Sequence, residues 1–150
     1  MDDLETVHTI TDYWDGPRSG IADFAGRPHR YECQFDEAAD DWTDRYRLMP
    51  IDTGTFELAM ELHSLFLRLA AAADAGQLTS EQFLQYHASG PCLPADRSRC
   101  SELRRLLGNR LAIDPVRANL AVGRFAPISE IPSGSLGTWG VRWQSAELPT

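Results

Sequence analysis

The sequence predicts an α+β protein with an antiparallel sheet or partial barrel and helices packed on one side, in the order β-β-β-β-α-α-α-β-β. Two observations lead to this class. β-Branched and aromatic residues dominate both ends of the chain, whereas helical periodicity and helix caps are confined to its middle. Strands segregated from helices in this way are typical of α+β folds. A chain of 150 residues is expected to form a single domain over residues 1–150.

The first third of the chain predicts four strands. Their predicted bounds are Thr6–Trp14, Ile21–Phe24, Pro28–Phe35 and Arg45–Ile51. Turn-forming residues separate the first three strands, with Asp15-Gly16-Pro17 after the first and Ala25-Gly26 after the second. The third strand alternates cleanly, and one of its faces carries His29, Tyr31, Cys33 and Phe35.

The acidic stretch at residues 36–44 is predicted to be a loop between the third and fourth strands. On the fourth strand, Arg45 and Arg47 are two residues apart and therefore lie on one face. Opposite charges on neighbouring strands attract each other. We therefore expect both arginines to pair with Glu32 if they share its face.

The middle third predicts three helices, and two strands follow. The predicted helices run from residue 52 or 53 to about 75, from 79 to about 88, and from 96 or 98 to about 111. Gly76 suits the end of the first helix, and Thr79 with Gln82 forms a capping-box pattern at the start of the second. The last two strands are predicted at Asn119–Ile128 and Gly137–Ala146, separated by a Pro- and Gly-containing turn.

Negative charge is concentrated in the first part of the chain. Residues 1–61 contain fifteen Asp and Glu against five Arg, whereas residues 62–150 contain seven against nine. The formal net charge of −8 therefore originates in the first 61 residues. Such a field repels nucleic acid and attracts basic partners. We expect a basic protein partner and no nucleic acid.

Targeting signals and ligand motifs are not evident in the sequence. No apolar run reaches the roughly 18 residues of a membrane span, and Met1–Tyr13 lacks the pattern of a signal peptide. The three cysteines form no C-x-x-C pair, which is typical of reduced thiols. We therefore expect a cytoplasmic protein without membrane contact, metal or cofactor. The sequence leaves the oligomeric state open.

The sharpest candidate site is the acidic stretch, in which an aromatic residue stands among carboxylates. Its predicted partner-binding residues are Asp36, Glu37, Asp40, Asp41 and Trp42. Aromatic side chains often anchor protein interfaces. The stretch lacks the alternating carboxylates and the final Glu of an EF-hand loop. The alternative interpretation is a solvated loop that only keeps the protein soluble.

A second candidate site combines the first turn with the third strand. Its predicted ligand-binding residues are Asp12, Asp15, Arg18, His29 and Tyr31. The carboxylates suit a cation or acid–base chemistry, and Arg18 suits an anion. The alternative interpretation is an Asp-Gly-Pro turn in which Arg18 pairs with a neighbouring acid.

One segment carries a family resemblance. The sequence Asp15-Gly16-Pro17-Arg18-Ser19-Gly20-Ile21-Ala22-Asp23, then Gly26-x-Pro28-His29-x-Tyr31 and Phe35-Asp36-Glu37, resembles a family of small uncharacterised bacterial proteins. The similarity extends over most of the chain. It implies an intact bacterial cytosolic domain and implies no particular activity, cofactor or catalytic residue.

Two functions follow from these patterns. The first is a small acidic binding protein, comparable to an immunity protein or an inhibitor, that presents residues 36–44 to a basic partner. The alternative is a small-molecule enzyme or ligand binder, with a pocket where His29 and Tyr31 meet the C-terminal tryptophans. We favour binding over catalysis, because the sequence contains no G-x-S-x-G, H-E-x-x-H or Gly-rich phosphate motif.

Overall fold

The computed structural model describes residues 4–128 and 138–145. The described residues divide into two compact units. The first contains residues 4–52, 111–128 and 138–145, and the second contains residues 53–110. The single domain expected for residues 1–150 stays a prediction.

The first unit is a closed barrel of six antiparallel strands. Each strand pairs with the next in sequence, and β1 pairs with β6 to complete the ring. The strands are β1 (Glu5–Tyr13), β2 (Pro17–Phe24), β3 (Arg27–Asp36), β4 (Asp41–Pro50), β5 (Asn119–Pro127) and β6 (Trp139–Ser145).

The predicted α+β class and the order of elements are confirmed, but the barrel is closed rather than partial. Closure depends on the pairing of Glu5 with Val141 and of Thr6 with Gly140. A Cβ atom at Gly140 would lie 3.0 Å from side-chain atoms of both Leu4 and Ile128. The small residue at this position therefore leaves room where the first and last strands meet.

Two predicted strands begin too late. β2 starts at Pro17 rather than Ile21, because Tyr13 pairs directly with Pro17 across a three-residue turn. β4 starts at Asp41 rather than Arg45, because Asp36 pairs with Asp41. The acidic stretch is therefore mostly strand, and only residues 37–40 form the turn of the β3–β4 hairpin.

Aromatic side chains fill the barrel. The rings of Tyr31, Tyr46, Phe125 and Trp143 lie 5.2–6.3 Å apart between centroids. Tyr31 is fully buried, and its hydroxyl donates a hydrogen bond to the Thr9 carbonyl at 3.0 Å. The Tyr46 hydroxyl donates to the Pro17 carbonyl at 2.8 Å. Because these buried hydroxyls have partners, the interior is both apolar and hydrogen-bonded.

The second unit is helical. It contains α1 (Thr53–Asp74), α2 (Ser80–Ser89), a short 3₁₀ helix (Pro94–Asp96) and α3 (Arg97–Leu107). The capping box of Thr79 and Gln82 is confirmed. α3 ends at Leu107 rather than 111, because Gly108 leaves the helical conformation with a φ of 49°. None of the described helices is long and apolar enough to cross a membrane.

Buried contacts join α1 to α3 within this unit. Leu65, Cys92, Cys100 and Leu103 form its buried cluster. On the surface, the Arg99 guanidinium donates two hydrogen bonds to the Glu61 carboxylate, at 2.5 and 2.6 Å. The guanidinium holds the pKa of Glu61 below its ordinary value.

The last predicted strand lies partly outside the described residues. Its predicted bounds, residues 137 and 146, and the preceding turn at residues 132–135 are not among them. Within the described part, β6 places Trp139 and Val141 in buried positions.

Candidate functional site

The β3–β4 hairpin presents four exposed carboxylates. They belong to Asp36, Glu37, Asp40 and Asp41. Among the described residues, which include all fourteen arginines, no ion pair involves any of the four. Asp44 differs, because the Arg124 guanidinium lies 3.3 Å from its carboxylate. The unbalanced negative charge of the hairpin is therefore confined to its tip.

Two of these carboxylates also shape the turn. Asp36 accepts hydrogen bonds from the backbone amides of Ala38 and Ala39, at 3.0 and 3.3 Å. Asp41 accepts one from the Trp42 amide at 2.8 Å. Carboxylates bonded in this way hold a turn without losing their charge.

A β-bulge separates the hairpin tip from the barrel wall. Cys33 pairs with Tyr46, and Phe35 pairs with Trp42, so residues 43–45 of β4 lie opposite Gln34 alone. The Thr43 hydroxyl donates to the Gln34 carbonyl at 2.9 Å. It also accepts from the Arg45 amide at 3.1 Å, which stabilises the bulge.

Phe35 lies at the hairpin end of β3, beyond the bulge. Alternation along β3 predicts that Phe35 shares one face with His29, Tyr31 and Cys33. Those three residues are buried, whereas Phe35 is 44% exposed. The Phe35 ring meets the half-buried Trp42 ring edge-on, with the centroids 5.1 Å apart.

Arg18 connects the β1–β2 turn to this hairpin. Its guanidinium donates hydrogen bonds to the carbonyls of Trp14 and Asp15, at 2.7 and 2.8 Å. The same group lies 5.1 Å from the centre of the Trp42 ring. Trp14, in the turn that Arg18 holds, is 70% exposed.

A cleft of about 830 Å³ beside the hairpin is lined by residues of β1, β2, β3 and β4. Six of its lining residues are charged, and carboxylates and guanidiniums are equally represented. They are Asp12, Glu32, Asp36, Arg18, Arg45 and Arg47. The cleft therefore has no net formal charge, although the chain as a whole carries −8.

The predicted ion pairs of Arg45 and Arg47 with Glu32 are not formed. Glu32 and Arg47 are direct cross-strand partners in the backbone register. However, among the described residues no carboxylate forms an ion pair with Arg45 or Arg47. Both guanidiniums therefore remain available to a carboxylate that enters the cleft.

Cys33 is buried at the edge of the cleft. Its thiol donates to the Thr43 carbonyl at 3.1 Å, and Arg18 approaches the sulfur at 3.7 Å. Burial raises the pKa of the Cys33 thiol, and Arg18 only partly offsets this effect. The thiol is therefore neutral near pH 7 and is not an activated nucleophile.

The structure brings together only part of the second predicted site. Asp12 and Arg18 line the cleft, whereas His29 and Tyr31 do not. His29 is buried, with its Nδ1 atom 2.8 Å from the Arg27 carbonyl, and Tyr31 belongs to the core. Asp15 is exposed in its turn, with a φ of 54°.

His8 and Asp23 form a separate polar contact, with 2.8 Å between the His8 ring nitrogen and the Asp23 carboxylate. Over the described ranges, no group of three or more His, Cys, Asp or Glu side chains is arranged to hold a metal ion.

Sequence reasoning missed several residues of this region. They include the exposed aromatic residues Phe35 and Trp14, and Arg45 and Arg47, which form no ion pair with a described carboxylate. Trp14 directly precedes a predicted turn, and this position was the sequence signal that could have indicated its exposure.

Comparisons of the chain with protein-family models, with curated proteins and with solved structures found no match. The family resemblance of the sequence stays a prediction.

Proposed function

We propose that this protein is a binding protein whose β3–β4 hairpin engages a basic segment of a partner protein. The observation that carries this proposal is a ring pair set among unbalanced carboxylates. Phe35 and Trp42 pack together at the base of the hairpin, and its four tip carboxylates form no ion pair within the described chain. Carboxylates attract Lys and Arg side chains, and an adjacent apolar ring accepts their methylene stems.

The exposed aromatic residues support an interface rather than a solvated loop. Phe35 is 44% exposed and Trp14 is 70% exposed, and both flank the contact between Arg18 and Trp42. Aromatic side chains are enriched at protein interfaces because they bury a large area at low entropic cost. A turn that served only solubility would need neither ring.

The experiment compares two sets of charge-neutralising substitutions. The hairpin set is Glu37→Gln, Asp40→Asn and Asp41→Asn, and the control set is Glu57→Gln, Asp74→Asn and Glu81→Gln. Each removes three exposed negative charges, so the net charge changes equally. Asp36 is left intact because it accepts two hydrogen bonds from the turn backbone. Asp41→Asn keeps an amide oxygen that can accept from the Trp42 amide.

The probe is a short arginine-containing peptide, and binding is followed by amide chemical shifts. We expect the hairpin set to weaken binding at least fivefold, whereas the control set changes it less than twofold. Binding should also weaken as salt is added. Equal loss of affinity in both sets would mean that only net charge matters, and the proposal would fail.

A second candidate function is binding of a small ligand in the cleft. It is favoured by the position of Asp12 and Arg18, two residues of the second predicted site, in the lining of the cleft. It differs from the first in requiring no contribution from Glu37 or Asp40 at the tip of the turn.

A further inference from the structure

We propose that the cleft beside the hairpin binds a bipolar peptide segment, in which a basic side chain and a carboxylate lie about three residues apart. This proposal rests on the proposed function and specifies its partner. The basic side chain occupies the hairpin end, and the carboxylate occupies the end formed by Arg45 and Arg47.

The first argument is the charge of the cleft. Three carboxylates and three guanidiniums line it, so its formal charge is balanced. A purely cationic ligand would meet the arginines, and a purely anionic ligand would meet the acids. A ligand that carries both charges satisfies both, because complementary charges favour binding and like charges oppose it.

The second argument is where the charges lie along the strands. At the hairpin end, Asp36 lies next to the other tip carboxylates, and the one arginine there, Arg18, is bonded to backbone carbonyls. Arg45, in the bulge, and Arg47, beyond it, lie at the other end together with the carboxylates of Asp12 and Glu32. The hairpin end is therefore net negative, whereas the other end is neutral and contains both Arg45 and Arg47.

The third argument is the spacing. On β3, Phe35 lies three residues from Glu32, and these residues pair with Trp42 and Arg47 respectively. Three residues of extended chain span about 10 Å. A peptide that lies along the cleft in an extended conformation would need a similar separation between its own basic group and its carboxylate.

The fourth argument is that Arg45 and Arg47 are otherwise unused. They lie on one face of β4 about 7 Å apart, and no described carboxylate pairs with either of them. Two adjacent guanidiniums hold a carboxylate by charge-assisted hydrogen bonds. The carboxylate can come from an acidic side chain or from a chain terminus, and the probes below distinguish these two sources.

Three capped or uncapped peptides test the proposal. The first is N-acetylated, C-amidated arginine-alanine-alanine-glutamate, and the second replaces its glutamate by glutamine. The third is N-acetylated arginine-alanine-alanine with a free terminal carboxylate. Binding at millimolar peptide is measured from amide chemical shifts of the full chain.

The expected result is an affinity about three- to tenfold higher for at least one of the two carboxylate peptides than for the glutamine peptide. The larger gain identifies the source of the carboxylate. The gain should vanish in the Arg45→Gln, Arg47→Gln double variant. It should persist in Arg110→Gln, Arg117→Gln, a control that removes two exposed arginines elsewhere.

Two results would overturn the proposal: no gain from either carboxylate, or a gain that survives in the Arg45→Gln, Arg47→Gln variant. The glutamine peptide separates this failure from that of the proposed function. If it binds through the hairpin carboxylates but a carboxylate adds nothing, the binding function stands and the bipolar ligand is wrong. If no peptide binds, both proposals fail.

Discussion

The guanidinium of Arg18 lies 5.1 Å from the centre of the Trp42 ring and joins the β1–β2 turn to the β3–β4 hairpin. The same side chain donates hydrogen bonds to the Trp14 and Asp15 carbonyls. One side chain therefore links the β1–β2 turn to strand β4 of the hairpin. The sequence offered pairing with a neighbouring acid as one interpretation of Arg18, but its partners are backbone carbonyls, an indole ring and a thiol.

Replacing Arg18 by Ala should lower the free energy of unfolding by about 1–2 kcal/mol, because it removes two charge-assisted hydrogen bonds and a cation–π contact. Arg18→Lys should recover less than half of this loss, since an ammonium group cannot match the planar fork of a guanidinium. Urea denaturation measures both values. The control is Arg27→Ala, an exposed arginine at the start of β3, which should change stability by less than about 0.5 kcal/mol. Equal losses for Arg18 and Arg27 would contradict this role.

Gly20 lies where β1, β2 and the barrel interior meet closely. A Cβ atom there would lie 2.7 Å from the Tyr31 hydroxyl oxygen and would also collide with the Thr9 carbonyl. We expect Gly20→Ala to destabilise the protein by about 3 kcal/mol or more, because the backbone carbonyl cannot move aside.

Gly26 provides the matched comparison for Gly20. It has a φ of 76°, and a Cβ atom there would meet nothing within 4 Å. Gly26→Ala should therefore cost only the backbone strain, about 1–2 kcal/mol. Urea denaturation of the two variants measures both losses of stability. A smaller loss for Gly20→Ala than for Gly26→Ala would refute the steric argument.

Sequence patterns predicted correctly those features that depend only on residues close together in the chain. The capping box of Thr79 and Gln82 spans a single helical turn, and the alternation of Tyr31 and Cys33 follows from strand geometry. Barrel closure was underestimated because it joins Glu5 to Val141, far apart in sequence. No periodic pattern in either segment specifies that pairing.

The start of β2 and the bulge in β4 were missed, because the same residue type can occur both in a turn and in a strand. Pro17 was interpreted as part of a turn, and Gly20 was placed before the second strand. However, Pro17 begins β2, and Gly20 allows the close approach of Thr9. The bulge in β4 is stabilised by the Thr43 hydroxyl, which donates across the hairpin to the Gln34 carbonyl and accepts from the Arg45 amide. Such a bulge cannot be seen in β3 alone, so the cleft that it borders could not be predicted either.

His63 should make the stability of the protein pH-dependent. Its ring stacks against Phe66 in α1, and burial lowers the pKa of His63 below its ordinary value of 6.5. The unfolded chain therefore binds a proton more readily than the folded chain. The free energy of unfolding should decrease as the pH falls below about 6.5 and level off below the folded pKa.

Urea denaturation between pH 5 and pH 7.5 tests this dependence against His63→Gln, in which the contribution should be lost. His87→Gln is the control, since His87 is exposed and its ring also contacts Phe66. If the free energy of unfolding depends on pH in His63→Gln as it does in the unchanged protein, or if this dependence is lost only in His87→Gln, another group is responsible.

Cys33 should be the first of the three cysteines to react with iodoacetamide in the folded protein. All three thiols are buried, but Cys33 borders the cleft, whereas Cys92 and Cys100 lie in the core of the helical unit. Its reaction should still be much slower than in the unfolded chain, because its pKa is raised and the thiolate is the reactive form. The rate should increase as the pH is raised above neutrality.

Peptide mapping by mass spectrometry follows the three sites separately, which makes Cys33 a reporter for the cleft. A peptide that occupies the cleft should slow the alkylation of Cys33 and leave Cys92 and Cys100 unchanged. Protection of all three cysteines would indicate a general increase in stability instead. If Cys92 or Cys100 reacts as fast as Cys33 without peptide, access to Cys33 depends on unfolding, and the cleft does not expose its sulfur.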